Sequence, residues 1–167
     1  GPKPWPENTI QNVGVHSSDA ITELTLDWLE NKRDPSRPFF LAHQYKAPHD
    51  MFENAPRYDG FLEEMTIPEP PNLREPIGAS IATQGKGAGM SKYSRWRLGE
   101  RLGIDNRQDD ESYFNETYQT FMRRYLRCVK GIDDGVARLL DYLEENDLLE
   151  NTIIIYTGDQ EIGRAHV

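Results

Sequence analysis

The chain of 167 residues carries 28 acidic against 19 basic side chains, a net charge of −9, and 37% hydrophobic residues. This length holds one domain with its own core, and no run reaches the roughly 18 apolar residues of a membrane span. The acidic balance excludes nucleic acid as the main partner, because neutralising phosphates needs clustered Lys and Arg, and the single cysteine, Cys128, excludes an intrachain disulfide.

Residues 1–16 open Gly1-Pro2-Lys3-Pro4-Trp5-Pro6, read as extended chain, and show no charged-then-apolar leader. In a piece of a longer protein that would say nothing about secretion. Ser17 or Ser18 offers a helix cap, with Asp19 near the positive end of the helix dipole. Ile21, Leu24, Trp28 and Leu29 follow at helical spacing until Asp34-Pro35 closes the segment. The short aromatic run Pro38 to Tyr45 predicts a buried strand. From Lys46 to about Gln108, prolines and glycines predict a long loop with short helical turns near Phe61 and Tyr93. Loops of that length are often functional. A long helix is expected from about Asp110 to Asn146, its apolar face built by Tyr113, Phe114, Tyr118, Phe121, Tyr125 and Leu126, then by Val129, Ile132, Val136, Leu139, Leu140 and Leu143. Gly131 or Gly135 is the place for a bend. The β-branched run Thr152 to Thr157 predicts a buried parallel strand. Helix, strand, long loop, helix, strand is an α/β order.

In open α/β sheets, ligands bind beyond the carboxyl ends of the strands. The first such end gives Tyr45-Lys46-Ala47-Pro48-His49 and the second gives Gly158-Asp159-Gln160. His49, placed after a proline, is able to donate to a developing oxyanion or protonate a leaving group near neutral pH. The same spacing fits an exposed or hydrogen-bonded loop histidine, and Lys46 fits a solvated lysine. Asp159 and Gln160 offer adjacent oxygens suited to a hard divalent cation. They fit equally a turn whose Asp caps a helix.

Four segments together carry a resemblance: Arg37-Pro38-Phe39-Phe40-Leu41 with Tyr45-Lys46-Ala47-Pro48-His49; Ile67 to Leu73; Tyr125 to Asp134 with Arg138 to Leu143; and Asn151 to Gln160. Over nearly all of residues 8–160 the chain resembles the formylglycine-dependent type I sulfatases of the alkaline-phosphatase-like superfamily, bacterial polysaccharide sulfatases among them. The resemblance implies an α/β core, a mixed and mostly parallel sheet flanked by helices, incomplete in this chain. Residues 1–161 would be an internal fragment of the catalytic domain. It implies hydrolysis of sulfate esters, sulfated carbohydrate as substrate, and a periplasmic or secreted location. His49 matches the histidine facing the sulfate and leaving oxygen, and Asp159 and Gln160 match ligands of a calcium ion. The complete enzyme would use calcium and a formylglycine made from Cys or Ser.

The chain also departs from the family pattern. It has no C-x-P-S-R or S-x-P-S-R motif, and Cys128 precedes Val129-Lys130-Gly131 in a helix, where it reads as a packing residue. The Asp pair completing the metal site is expected upstream, and a further basic residue downstream. The chain alone is therefore expected to be inactive. Two other readings fit: a phosphatase or phosphonate hydrolase of the same superfamily, and a non-catalytic module that binds a partner through the long loop and acidic surface.

Beyond Gln160 the family continues with Gly, whereas this chain reads Glu161-Ile162-Gly163-Arg164-Ala165-His166-Val167. Ile162 to Val167 is the translation of the start of a widely used sequencing adapter. Residues 162–167 are therefore expected to be adapter read-through in an assembled environmental sequence, and His166 is not a ligand candidate.

Overall fold

The computed structural model describes residues 15–49, 52–74 and 98–158. Helix α1 spans Ser17–Asn31. Its N-cap is His16 and not the expected serine: the Nδ1 of His16 accepts the Ser18 N–H at 3.3 Å. The buried stripe of α1 also differs from the expected one. Ser18, Thr22, Thr25 and Leu29 face inward, while Ile21, Leu24 and Trp28 are half-buried. The Thr22 and Thr25 hydroxyls face inward because each has a partner there. Thr22 Oγ1 donates to Ser18 O at 3.0 Å and lies 2.9 Å from the Tyr45 hydroxyl. Thr25 Oγ1 is 2.8 Å from His43 Nδ1.

After α1 the chain runs back along it as an extended segment. Phe39 packs edge-on to Trp28 with centroids 6.1 Å apart; His43 then meets Thr25, and Tyr45 meets Thr22. Phe39, Leu41, His43 and Tyr45 are half-buried, and Phe40, Ala42, Gln44 and Lys46 are exposed. This period of two is strand periodicity. Yet no strand forms among the described residues, here or at 152–158. The expected strands are present as extended chain without a ladder, because a strand needs a neighbour's N–H and C=O groups. Phe40 is 92% exposed, Ile153 90%, Ile155 81% and Tyr156 83%, so both segments present apolar surface that nothing described covers.

A 3₁₀ turn at Pro56–Tyr58 leads into the long loop, and the short helix α2, Gly99–Leu102, closes the described part of it. Helix α3 spans Asp110–Glu145 without a break. Asp109 caps it, its carboxylate accepting the Glu111 and Ser112 N–H groups. The helix runs on through Gly131 and Gly135, and each glycine lets a neighbour approach. A Cβ on Gly131 would lie 3.3 Å from the Tyr58 ring, and one on Gly135 only 2.3 Å from the Tyr45 hydroxyl.

The loop from Tyr58 to Arg74 runs antiparallel to α3 and is bonded to it along its length. Arg127 Nε donates to Phe61 O, and Arg123 donates to Leu62 O and Met65 O. Gln119 pairs with both backbone groups of Ile67, and Tyr118 donates to Pro68 O. Arg74 reaches Glu111 and Asn115. Residues 111, 115, 119, 123 and 127 recur every four positions, so successive members are neighbours in a row that winds slowly round the helix. That polar row supplies the partners that loop backbone otherwise lacks. Apolar packing flanks it. One cluster gathers Phe52, Leu98, Leu102, Ile104, Tyr113 and Cys128; the other gathers Ile67, Phe114 and Tyr118.

Candidate active site

His49 stands where the extended segment 39–46 ends, beside the N-terminus of α1. Its N–H donates to Lys46 O at 3.1 Å, and its carbonyl accepts the Phe52 N–H at 3.1 Å. The turn from Lys46 to His49 comes first, the His49 carbonyl then accepts from Phe52, and His49 is exposed. The Ala47–Pro48 bond within the first turn is cis.

Anchors on both long helices hold this turn. Phe52 is buried at 7% exposure, edge-on to Phe121 with centroids 4.9 Å apart. The next carbonyl, Glu53 O, accepts from His16 Nε2 at 2.9 Å and from Cys128 Sγ at 3.3 Å. His16 therefore uses both ring nitrogens, Nδ1 accepting at the helix cap and Nε2–H donating to the turn. That assigns it the neutral Nε2–H tautomer.

Cys128 has the environment of a structural thiol. It is 2% exposed, and burial pushes its pKa up to about 11. A thiol so rarely ionised is a poor nucleophile. Burial likewise holds the His43 imidazole below its ordinary value and raises the Tyr45 phenol above its own. Both belong to the packed side of the extended segment. Lys46 is exposed, its carbonyl closing the first turn.

A cleft of about 460 Å³ between α1 and α3 is lined by Val15, Asp19, Glu23, Arg57, Tyr58, Asp134 and Arg138. Its charges satisfy one another. Arg57 bonds both carboxylate oxygens of Asp19, Arg138 pairs with Glu23, and Asp134 takes Lys130 and the Tyr58 hydroxyl. Arg57 holds the Asp19 carboxyl below its ordinary value. This cleft joins two helices and does not include His49.

Asp159 and Gln160, the candidate calcium ligands, lie outside the described residues, as do residues 162–167. Among the described residues, no group of three or more His, Cys, Asp or Glu side chains is placed to hold a metal ion. No described helix is long and apolar enough to cross a membrane. Sequence reasoning selected His49 but missed its support, namely Phe52, His16 and Cys128. Those residues are far apart in the chain, and only Cys128 carried a signal, as a helix residue expected to pack.

The comparisons with known proteins extend over the same residues. The Sulfatase family model matches residues 2–164. An N-acetylglucosamine-6-O-sulfatase of Bacteroides thetaiotaomicron is 29% identical, over 87% of this chain and 33% of its own length. An N-acetylglucosamine-6-sulfatase of Capra hircus is 27% identical, over 89% of this chain and 23% of its own. A solved structure, described as a complex with its substrate D-glucosamine-2-N,6-O-disulfate, superposes with a TM-score of 0.62 at 26% identity. That alignment covers 82% of this chain and 36% of the other. The chain thus spans about a third or less of these relatives. With a family match over nearly its whole length, the chain belongs to the sulfatase family.

Proposed function

We propose that this chain is part of a sulfuric ester hydrolase acting on sulfated carbohydrate, with His49 as its proton-transfer residue. The observation that carries the reading is the placement of His49: an exposed residue whose backbone is bonded to both Lys46 and Phe52, at the end of the extended segment. An imidazole placed so serves a reaction whose leaving oxygen needs a proton. The named substrates of the relatives, N-acetylglucosamine 6-sulfates and a disulfated glucosamine, favour a sulfated amino sugar.

In this reading segments 39–46 and 152–157 are strands of a mixed, mostly parallel sheet, and the rest of that sheet covers Phe40, Ile153 and Ile155. The strand ends then bring His49 to the same edge as Asp159 and Gln160. A carboxylate and an amide oxygen suit calcium, which takes six to eight oxygens, so these two would be a minority of its ligands. Bound there, the ion would neutralise sulfate charge. The nucleophile, a formylglycine, is supplied by sequence other than this. Export to the periplasm or the exterior belongs to the same proposal.

Turnover of N-acetylglucosamine 6-sulfate tests the reading. The chain by itself should show none, whereas the chain joined to the remaining parts of a sulfatase catalytic domain should release sulfate. Calcium-dependent sulfate release by the chain alone would contradict it.

A further inference from the structure

Three non-glycine residues among those described hold a positive φ: Phe52 at 58°, Leu62 at 61° and Asp147 at 57°. Asp tolerates this region, whereas a bulky aromatic residue rarely enters it, because its Cβ crowds the backbone. Such a conformation persists only where the surroundings over-determine it. At Phe52 those surroundings are in view. Its ring meets Phe121 at 4.9 Å and Tyr125 at 6.5 Å, both edge-to-face, and Leu98, Leu102 and Tyr113 complete the cluster. Aromatic pairs in that arrangement gain more than burial alone.

We propose that Phe52 is a positioning residue for His49. Its ring docks on α3, its N–H donates to the His49 carbonyl 3.1 Å away, and the left-handed φ between them sets the ring against the helix while that bond is kept. The exposed imidazole is thereby tied to the most extensive helix in the molecule. A residue needed only to fill the core would sit at relaxed φ. Here the strained residue is three positions from His49 and bonds it directly. The two donors on Glu53 O then hold the far side of the turn. This inference rests on the proton-transfer reading of His49, since that is what fixed placement would serve.

Phe52→Gly in the full 167-residue chain separates the ring from the backbone. Glycine adopts this φ without strain, so the substitution removes the docked ring while leaving the turn sterically allowed. The readout is the ¹⁵N order parameter of the His49 amide. It is expected to fall from about 0.85, the value of rigid backbone, to below about 0.6, while the amides of α1 and α3 stay rigid. An unchanged value at His49 overturns the proposal. Should Phe52→Gly fail to fold, Phe121→Leu trims the ring's partner without touching the turn, and the same two outcomes apply.

A second measurement separates this inference from the reading beneath it. In the complete sulfatase, the same Phe52→Gly should lower kcat about 10–100-fold with KM held, the mark of a misplaced reacting group. If His49 loosens in Phe52→Gly while kcat of the complete enzyme is unchanged, the positioning role stands and the proton-transfer role of His49 falls.

Discussion

The side-chain amide of Gln119 closes a two-way pair with the backbone of Ile67. The Ile67 N–H donates to Oε1 at 2.9 Å, and Nε2 donates to Ile67 O at 2.8 Å. Ile67 is 7% exposed and has no regular secondary structure, so a helix side chain satisfies both of its peptide groups. Removing that amide leaves buried groups without partners, which costs about 1–3 kcal/mol. Gln119→Ala is expected to destabilise by that amount and to open residues 58–74 to limited proteolysis, with the helix content of α3 unchanged by circular dichroism.

The two glycines of α3 should respond oppositely to alanine. At Gly135 the new Cβ would lie 2.3 Å from the Tyr45 hydroxyl and 2.7 Å from Thr22 Oγ1, displacing the hydrogen bond between them. Overpacking of this kind costs about 1–3 kcal/mol. At Gly131 the nearest atom is a Tyr58 ring carbon at 3.3 Å, which needs only a small shift. Alanine is better than glycine inside a helix by roughly 0.8–1.0 kcal/mol, so Gly131→Ala should be neutral or mildly stabilising. Denaturant midpoints of the two variants check the contrast.

Acid should weaken the fold through His43. Burial holds its imidazole below the ordinary value of 6.5, so the unfolded chain binds the proton more tightly than the folded one. Stability therefore rises with pH across this window. The contribution is complete above about 6.5 and is lost as pH falls through the lowered folded value. Thermal midpoints measured from pH 7.5 down to pH 5 should fall more steeply for the unmutated chain than for His43→Gln. Parallel curves would contradict this.

The sequence carried the helices well. The stripe of Tyr113, Phe114, Tyr118 and Ile132 in α3 is plain from spacing, and all four are buried. It did not carry the inward face of α1, because Thr22 and Thr25 look like surface residues until Tyr45 and His43 arrive from the next segment. The order of the long loop was hidden for a related reason. Gln119, Arg123 and Arg127 are polar helix residues whose partners are mostly loop backbone groups, which every residue has. The segments 39–46 and 152–158 were legible as apolar extended runs, but the strands expected there do not form among the described residues. His49 stood out as a candidate by its place after a strand-like run and by the family resemblance. Phe52 did not, because the role proposed for it depends on a backbone angle that no residue pattern announces.

The measurement that bears most directly on the central claim is the kcat of His49→Ala in a complete sulfatase containing this chain, on N-acetylglucosamine 6-sulfate. General acid–base groups contribute about 10²–10⁴-fold. The account expects a fall in kcat within that range, with the fold intact by circular dichroism. A kcat equal to that of the unmutated enzyme would contradict it.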